Sequence, residues 1–317
     1  MTTRSRAEDK RPAETTVATG DQWVIGHGHQ RAVIAEIGAT LRSFTIDDRA
    51  VIDGFGSGEW SQGGRGQVLA PWPNRLGDGR YSFDGVDAQA PLNELPANNA
   101  IHGLVRWLPW RMVGRAQNQV TMAVELRPSP AYPFALRLTV EYRLGRDGLT
   151  VVADAENFGP TDLPFGLGFH PYLTVGTPTV DQIRLTVPSE HRLLTDDRGL
   201  PVGRAPVAGT EFDFNGGRLI GVTKLDTAFT GLGRDADGRA RIQLDHLDGL
   251  AGATLWTDER FSYVMVYTGD TLDADRRRTS VAVEPMSCPP DAFRSGIDVT
   301  ALRPGGRWTG SWGITPR

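Results

Sequence analysis

Apolar and polar residues alternate strictly along two segments of this chain, residues 120–126 and 136–144. In the second segment, Leu138, Val140 and Tyr142 are separated by Thr139 and Glu141. Successive side chains of a strand point to opposite faces, so a period of two predicts half-buried antiparallel strands. Shorter apolar runs recur, bounded by Gly, Pro, Asp and Asn, at residues 33–37, 150–155, 182–187, 253–256 and 263–267.

No long amphipathic helix, internal repeat or linker interrupts this succession of short strands and turns. The pattern therefore predicts an all-β fold, a large antiparallel β-sandwich or a barrel. Residues 1–18 are polar and lack the apolar core of a signal peptide, so we expect them to form a disordered leader. We expect residues 19–317 to form a single domain.

Composition excludes several functional classes. The net charge of −4 argues against a nucleic-acid partner, and no apolar stretch approaches the length of a membrane span. The single cysteine, Cys288, allows no intrachain disulfide and suits a reducing cytoplasm. Of the two lysines, only Lys224 lies outside the leader and could form a Schiff base, and no P-loop motif occurs.

Two residues far apart in sequence are candidates for proton transfer. His170 lies in G-L-G-F-H-P-Y (166–172), where an apolar frame can orient an imidazole whose pKa lies near neutrality. Glu284 lies in S-V-A-V-E-P-M (280–286), and we expect Pro285 to end the strand pairing and place the carboxylate at a sheet rim. A structural histidine and a carboxylate that merely pairs with an arginine are the alternatives.

The segment 68–110 contains a second group of candidates. Asn74 and Arg75 follow a proline-framed Trp72 in P-W-P-N-R (71–75), and the arginine fork could hold sugar hydroxyls. Trp72, Trp107 and Trp110 could present flat faces to a pyranose, or belong to the core.

Other single residues allow both a functional and a structural interpretation. His102, followed by Gly103, could contact a ligand or be a structural hydrogen-bonding group, and Asp226 could accept hydroxyl hydrogen bonds or cap a turn. Cys288 is interpreted as a packed thiol. The run of Arg276, Arg277 and Arg278 is interpreted as a solvated loop. His27 and His29 lack a third ligand at short spacing, so no metal site is predicted.

Together these motifs resemble the aldose 1-epimerase (galactose mutarotase) family over most of the chain. The resemblance rests on six segments in the order of the family: G-A-T-L-R-S-F (38–44), N-R-L-G-D-G-R-Y (74–81), N-A-I-H-G (99–103), F-H-P-Y (169–172), L-D-T-A-F (225–229) and V-E-P-M-S-C-P-P-D-A-F (283–293). It implies the galactose mutarotase-like supersandwich, with a small-molecule aldose as substrate and no cofactor. By resemblance, His170 is the general acid and Glu284 the general base. Arg75, His102 and Asp226 match substrate-binding positions, to which we add Asn74 and Trp72.

Several motifs vary from the commonest family pattern, including F-H-P-Y-L (169–173), P-W-P-N-R (71–75) and the Leu104-Val105-Arg106 that follows I-H-G. These variants resemble a bacterial branch that includes a mutarotase for the sulfonated sugar sulfoquinovose. The expected reaction is interconversion of the α and β anomers of a hexose. Epimerisation of a 6-phospho or 6-sulfo sugar, with Arg75 or Arg106 as anion ligand, and non-catalytic carbohydrate binding are the alternatives. We expect a monomer or a weak homodimer.

Overall fold

A computed structural model describes residues 18–317, so the predicted disordered leader lies almost entirely outside the described residues. Within this range 27 strands are joined by short turns, and the helical elements are brief. The first nine strands are β1 (Gln22–His27), β2 (Gln30–Ala35), β3 (Leu41–Ile46), β4 (Arg49–Ala50), β5 (Val68–Leu69), β6 (Arg75–Gly77), β7 (Arg80–Phe83), β8 (Val86–Gln89) and β9 (Asn99–Ile101).

The middle of the chain supplies two of the three ten-residue strands and both segments of strict alternation. The next nine are β10 (Arg111–Ala116), β11 (Gln119–Leu126), β12 (Leu136–Gly145), β13 (Gly148–Asn157), β14 (Leu163–Phe165), β15 (Gly168–Phe169), β16 (Tyr172–Leu173), β17 (Ile183–Thr186) and β18 (Ser189–Thr195).

The last third of the described chain completes both large sheets. Its strands are β19 (Pro201–Pro206), β20 (Arg218–Leu219), β21 (Asp226–Leu232), β22 (Ala240–His246), β23 (Gly252–Thr257), β24 (Tyr263–Tyr267), β25 (Val281–Met286), β26 (Thr300–Leu302) and β27 (Arg307–Pro316). The helical elements are one α-turn, α1 (Ala292–Ser295), and the 3-10 turns Leu95–Ala97 and Val180–Gln182.

Two large antiparallel sheets dominate the architecture. One has nine strands in the order β10-β11-β12-β13-β27-β23-β22-β17-β20. The other has eight, in the order β19-β18-β21-β24-β25-β15-β5, with β16 also paired to β25. A four-stranded sheet, β1-β2-β3-β4, and three two-stranded ribbons, β14-β26, β6-β9 and β7-β8, complete the strand pairing.

The inner faces of the two large sheets share one hydrophobic core. Phe169 of the eight-stranded sheet lies 5.1 Å, ring centroid to centroid, from Trp312 of the nine-stranded sheet. One cluster of buried side chains includes residues from Ile25 to Ile314. Sheet-on-sheet packing of alternating strands is a β-sandwich, so the predicted fold class is confirmed.

Alternation along the eight-stranded sheet decides which side chains leave this core. Val264 and Val266 of β24 and Val281 and Val283 of β25 belong to the hydrophobic cluster. Their neighbours, Met265 and Tyr267 on β24 and Glu284 on β25, therefore point to the opposite face. This outer face carries the candidate site.

One detail of the sequence prediction is wrong. Pro285 does not end the pairing of its strand, because β25 continues to Met286, which pairs with both Tyr263 and Gly168. Glu284 consequently lies on an inner strand between β24 and the β15–β16 segment, not at a sheet rim. Proline is tolerated there because the ladder of β25 is interrupted beside it, between the pairings of β15 and of β16.

Candidate active site

A cleft of about 570 Å³ lies over the outer face of the eight-stranded sheet. The sheet contributes its floor, and loops from three other parts of the chain form its walls. Six of the seven residues predicted to form the site line this cleft: Asn74, Arg75, His102, His170, Asp226 and Glu284. Trp72 does not. The fold thus brings together residues that are up to 210 positions apart in the sequence.

Strand register places His170 directly opposite Glu284. Gly168 pairs with Met286 and Tyr172 pairs with Ala282. His170 is midway between the first members of these pairs and Glu284 is midway between the second members, so the two residues face each other. The Nε2 atom of His170 lies 3.3 Å from Oε1 of Glu284, and the two side chains are 5% and 2% exposed. A buried imidazole and a buried carboxyl group therefore share the floor of the cleft.

Burial shifts the pKa of each partner toward its neutral form. Desolvation lowers the pKa of His170 to about 3, and the nearby charges of Arg65 and Arg106 act in the same direction. Desolvation raises the pKa of Glu284 well above its ordinary value, assisted by the negative charge of Asp226. Nδ1 of His170 and Oε2 of Glu284 have no hydrogen-bond partner within the described chain. Such unpaired buried atoms are costly and indicate a site prepared for a polar ligand.

His102 lies beside His170, with the two ring centroids 5.2 Å apart and the rings edge to face. Its backbone N–H donates to the carbonyl of Asn74 over 2.8 Å, which ties the I-H-G segment to the P-W-P-N-R segment. Desolvation, followed by the charges of His170 and Arg106, lowers the pKa of His102 well below its usual value, so the ring is neutral. The following residue, Gly103, must be glycine, because a Cβ at that position would lie 2.1 Å from the carbonyl oxygen of Ala70.

Arg75 is fixed between two carboxylates at one wall of the cleft. Its Nε lies 3.1 Å from both carboxylate oxygens of Glu94, and its Nη2 lies 3.2 Å from Oδ2 of Asp226. These acids raise the pKa of Arg75 against the opposing effect of burial. The sequence pattern gave no signal for Glu94, because it lies in an irregular segment without a motif. Asn74 is buried and uses its Oδ1 to accept the backbone N–H of Arg75 over 2.9 Å.

The tryptophans divide between the core and the mouth of the cleft. Trp72 is buried against Phe293 and Tyr81, with ring centroids 5.5 and 6.5 Å apart, so the prediction that it contacts substrate is wrong. Trp110 is likewise buried. Trp107 lines the cleft and is 42% exposed, and its ring centroid lies 5.8 Å from that of Trp60. Trp60 is 59% exposed and lies outside every sequence motif.

Arg106 also lines the cleft and differs from the other arginines there. Within residues 18–317 no carboxylate oxygen lies within 4.0 Å of its guanidinium, and its Nε is buried without a hydrogen-bond partner. Its guanidinium carbon lies 5.3 Å from the centroid of the Trp107 ring. Desolvation lowers the pKa of Arg106, but not enough to discharge a guanidinium at neutral pH. Among the described residues, the cleft thus contains a guanidinium with no carboxylate partner within 4.0 Å.

The run from Arg276 to Arg278 is not the solvated loop that the sequence predicted. Arg276 lines the cleft and its Nη1 lies 2.9 Å from Oδ1 of Asp53, while Arg278 binds both Asp181 and Asp270. Charge runs are usually hydrated, but here acids distant in sequence meet two of the three guanidinium groups. Arg277 alone is largely exposed.

Two further sequence predictions concern chemistry outside the cleft. Cys288 is fully buried, and desolvation raises its pKa to about 12, so its interpretation as a packed thiol is confirmed. No group of three metal-ligating side chains occurs in the described part of the chain. None of the helices in residues 18–317 is long and apolar enough to cross a membrane.

Comparison with known proteins shows similarity along nearly the whole chain. A family profile described as "Aldose 1-epimerase" matches residues 21–315. The uncharacterized protein YihR of Escherichia coli K12 is 33% identical over 288 residues, which are 90% of this chain and 90% of that protein. The galactose mutarotase of Rattus norvegicus is 29% identical over 198 residues, covering 56% of this chain and 55% of that protein. The crystal structure of a GalM/aldose epimerase homologue from C. elegans has a TM-score of 0.83 at 19% identity, covering 94% of this chain and 98% of that chain.

Proposed function

Because this chain belongs to the aldose 1-epimerase family, we propose that it interconverts the α and β anomers of a hexose by acid–base opening and reclosure of the sugar ring. The observation that carries this proposal is the buried pair of His170 and Glu284, 3.3 Å apart on the floor of the cleft. Ring opening needs one group to remove the proton of the C1 hydroxyl and another to protonate the ring oxygen. An imidazole and a carboxylate that face one sugar supply both groups.

In the proposed reaction Glu284 removes the proton from the C1 hydroxyl while His170 protonates the ring oxygen. The C1–O5 bond breaks and a free aldehyde forms. Rotation about the C1–C2 bond then presents the other face of the carbonyl. In reclosure the hydroxyl oxygen that was O5 attacks C1, His170 takes its proton back, and Glu284 returns a proton to O1. The proton transfers and bond changes of these steps balance without a metal, a nucleotide or a covalent intermediate.

This cycle moves the pair between two protonation states with the same net charge. An imidazolium faces a carboxylate while the ring is closed, and a neutral imidazole faces a carboxylic acid while the ring is open. The buried surroundings lower the pKa of His170 and raise that of Glu284, and both shifts favour the neutral pair. Burial therefore favours the protonation state that accompanies the open-chain intermediate, whose formation is the demanding part of the reaction.

We propose that Arg75, His102 and Asp226 bind the sugar and that Asn74 shapes the turn presenting Arg75. In support of this, Arg75, His102 and Asp226 line the cleft together with the acid–base pair. Arg75 and Asp226 also form an ion pair with a nitrogen–oxygen distance of 3.2 Å. Trp107 and Trp60, in place of Trp72, would contact the C–H face of a sugar at the mouth.

Polarimetry tests the proposal. Freshly dissolved α-D-glucose and α-D-galactose change rotation as they approach anomeric equilibrium, and the active protein accelerates that change. We expect acceleration by the wild-type protein and its loss in His170→Ala. Acceleration that survives this substitution contradicts the assigned site. No acceleration of any sugar, combined with measurable sugar binding, favours the carbohydrate-binding alternative.

A second candidate substrate class follows from Arg106. An unpaired guanidinium in a cleft that holds a sugar favours a substrate with an anionic substituent, since the two charges would neutralise each other. We therefore propose a hexose with a phosphate or sulfonate at C6 as the alternative substrate. Arg75 is a weaker candidate for the anion ligand, because Glu94 and Asp226 already neutralise it.

Kinetics with matched sugars separates these two candidates. For an anionic substrate, kcat/KM for glucose 6-phosphate or 6-sulfo-glucose exceeds that for glucose, and the advantage falls with ionic strength. Arg106→Met then removes the advantage, because it lowers kcat/KM for the anionic sugar more than for glucose. Equal kcat/KM values for neutral and anionic sugars, or an advantage that persists in Arg106→Met, contradict the anion site.

We also propose that residues 19–317 form one domain, supported by a hydrophobic cluster that extends from Ile25 to Ile314. The predictions of a cytoplasmic monomer or weak homodimer, acting without a nucleic-acid or membrane partner, stay predictions. Sedimentation of the purified protein over a range of concentrations tests the oligomeric state.

A further inference from the structure

Beside the imidazole of His170 lies a stack of side chains that also lines the cleft and to which the proposed mechanism assigns no proton transfer. The ring of Tyr172 stacks on His170 with centroids 5.0 Å apart and planes 14° from parallel. Both residues lie on the same side of their segment, because they are two positions apart in extended backbone. The guanidinium carbon of Arg65 lies 4.2 Å from the centroid of the Tyr172 ring. Imidazole, phenol and guanidinium therefore form one contiguous column.

The far end of the column is fixed by an ion-pair network. Nη2 of Arg65 lies 3.1 Å from Oδ2 of Asp53, an oxygen that also accepts the Ser280 hydroxyl over 2.7 Å. The other oxygen of Asp53 accepts from Arg276 over 2.9 Å. The backbone N–H of Asp53 donates to the carbonyl of Tyr172 over 2.8 Å. Asp53 thus binds both the guanidinium and the backbone of the tyrosine against which that guanidinium packs.

The loop that carries Arg65 also closes over the imidazole. The hydroxyl of Tyr172 donates to the carbonyl of Gly63 over 2.9 Å. At Gly64, which has φ of +76°, an added Cβ would lie 2.6 Å from Cδ2 of His170. The loop backbone therefore packs directly on the imidazole ring, and only glycine allows this approach.

We propose that Arg65 is a positioning residue for His170: it clamps Tyr172 against the imidazole, and Asp53 fixes Arg65 in turn. The kinetic effects expected of this role rest on the proposed epimerase function, whereas its effects on packing and on the pKa of His170 do not. The Arg65 side chain is only 2% exposed and two of its nitrogens are already bound, to Asp53 and to the carbonyl of Gln62. The side chain also lines the cleft, and its Nε has no hydrogen-bond partner among the described residues, so the test must separate positioning from sugar binding.

The column also places a positive charge near the acid. The charged and titratable groups that face His170 are Glu284 from β25, His102 after β9, Tyr172 on β16, and Arg65 and Arg106 from the two loops. Of these, Arg65 and Arg106 disfavour the imidazolium and make it a stronger proton donor. Loss of Arg65 removes one of these charges and lets solvent reach the ring, and both changes raise the pKa of His170.

Steady-state kinetics of Arg65→Met distinguishes positioning from substrate binding. A misplaced acid lowers kcat, and we expect a loss on the order of 10²-fold with KM nearly unchanged. Tyr172→Leu should lower kcat similarly, and the double variant should be no worse than the poorer single variant, because the two residues act in series. A raised KM with unchanged kcat, or losses that multiply in the double variant, overturns the proposal.

Arg278→Met is the matched control for loss of a partly buried ion pair. Arg278 binds Asp181 and Asp270 and does not line the cleft. We expect its kcat to equal that of the wild type even though its melting temperature falls. If Arg278→Met loses as much kcat as Arg65→Met, the effect of Arg65 is general destabilisation and the proposal fails.

Two further measurements keep the inference testable if Arg65→Met does not fold or if no sugar is epimerised. Arg65→Lys keeps the charge but not the flat stack, so we expect less than half of the lost kcat to return; full recovery overturns the clamp. NMR titration of the His170 ring, assigned by its absence in His170→Asn, needs no activity. We expect its titration midpoint to move to higher pH in both the Met and the Lys variants, and unchanged midpoints contradict the inference.

Discussion

The Nε2 atom of His170 lies 3.3 Å from Oε1 of Glu284, across two neighbouring segments of one sheet and 114 positions apart in the sequence. The contact arises where regular pairing is interrupted. β25 pairs with β15 on one side of this point and with β16 on the other, and Pro171 and Pro285 supply no N–H between them. The site thus lies at a local gap in a ladder whose flanking pairs fix the register.

Glu284→Gln should abolish most of the activity while preserving the fold. The amide cannot accept the C1 proton, so we expect kcat to fall by about 10²- to 10⁴-fold. Removal of a buried ionisable group should also raise the free energy of unfolding near neutral pH by about 1 kcal/mol. Polarimetry and urea unfolding measure the two effects. Glu190→Gln, at an exposed position outside the cleft, is the control and should change neither.

The fold class could be predicted from the sequence because period-two alternation reports directly on which face of a strand is buried. Residues 120–126 and 136–144 form neighbouring strands, β11 and β12, with the predicted apolar side chains buried. Single motifs carried less information. They marked His170 and Glu284 as separate candidates. Only the order of the six motifs along the chain, through the family resemblance, predicted that the two residues share one site.

The errors have a common physical origin. Trp72 and Arg276 were assigned from local composition, yet burial depends on what the rest of the chain packs against them. Trp72 meets Phe293, and Arg276 meets Asp53, residues more than 200 positions away. Arg65 was missed for the same reason, because its partner Tyr172 comes from a strand more than 100 positions away. Glu94 was missed because it binds Arg75 from an irregular segment that carries no motif. Tyr172 itself could have been found from its spacing, two residues after His170.

The pH dependence of stability should report the burial of His170. Its pKa is lowered to about 3, so the unfolded chain, with a histidine pKa near 6.5, binds more protons as the pH falls. The stabilising contribution is complete above pH 6.5 and is lost between about pH 6.5 and 3. The free energy of unfolding of the wild type should therefore fall relative to that of His170→Asn, by about 1 kcal/mol per pH unit. Parallel profiles of the two proteins would contradict the lowered pKa.

Glu284 should act in the opposite direction at higher pH. Its raised pKa means that the folded protein retains a proton that the unfolded chain releases above its ordinary carboxyl pKa. The associated stability is complete below that ordinary pKa and is lost as the pH rises toward the folded value. Comparison of wild type and Glu284→Gln by urea unfolding from pH 4 to 8 should show the difference increase in favour of the variant. A constant difference would mean that the carboxyl ionises normally.

Arg75→Met should weaken substrate binding more than it changes the chemical step. One charge-assisted hydrogen bond is worth about 1.5–3 kcal/mol, so we expect kcat/KM to fall by roughly 10- to 100-fold. Glu94→Gln, which loosens Arg75 without removing it, should give a smaller loss in the same direction. Arg137→Met, on β12 of the other sheet, is the control for an arginine that binds two glutamates outside the cleft. A larger loss in Glu94→Gln than in Arg75→Met would contradict this order.

The tryptophans allow a paired prediction that separates core from cleft. Trp72→Ala removes a buried ring and should cost about 3–5 kcal/mol of stability, while the folded fraction keeps the KM of the wild type. Trp107→Ala removes a partly exposed ring at the mouth of the cleft, so its stability cost should be under about 1 kcal/mol. Its KM should nevertheless rise several-fold, because the sugar loses an apolar face. Urea unfolding and initial-rate polarimetry of both variants test the contrast. A raised KM in Trp72→Ala at full folding would return that residue to the binding site, and an unchanged KM in Trp107→Ala would remove the mouth of the cleft from sugar recognition.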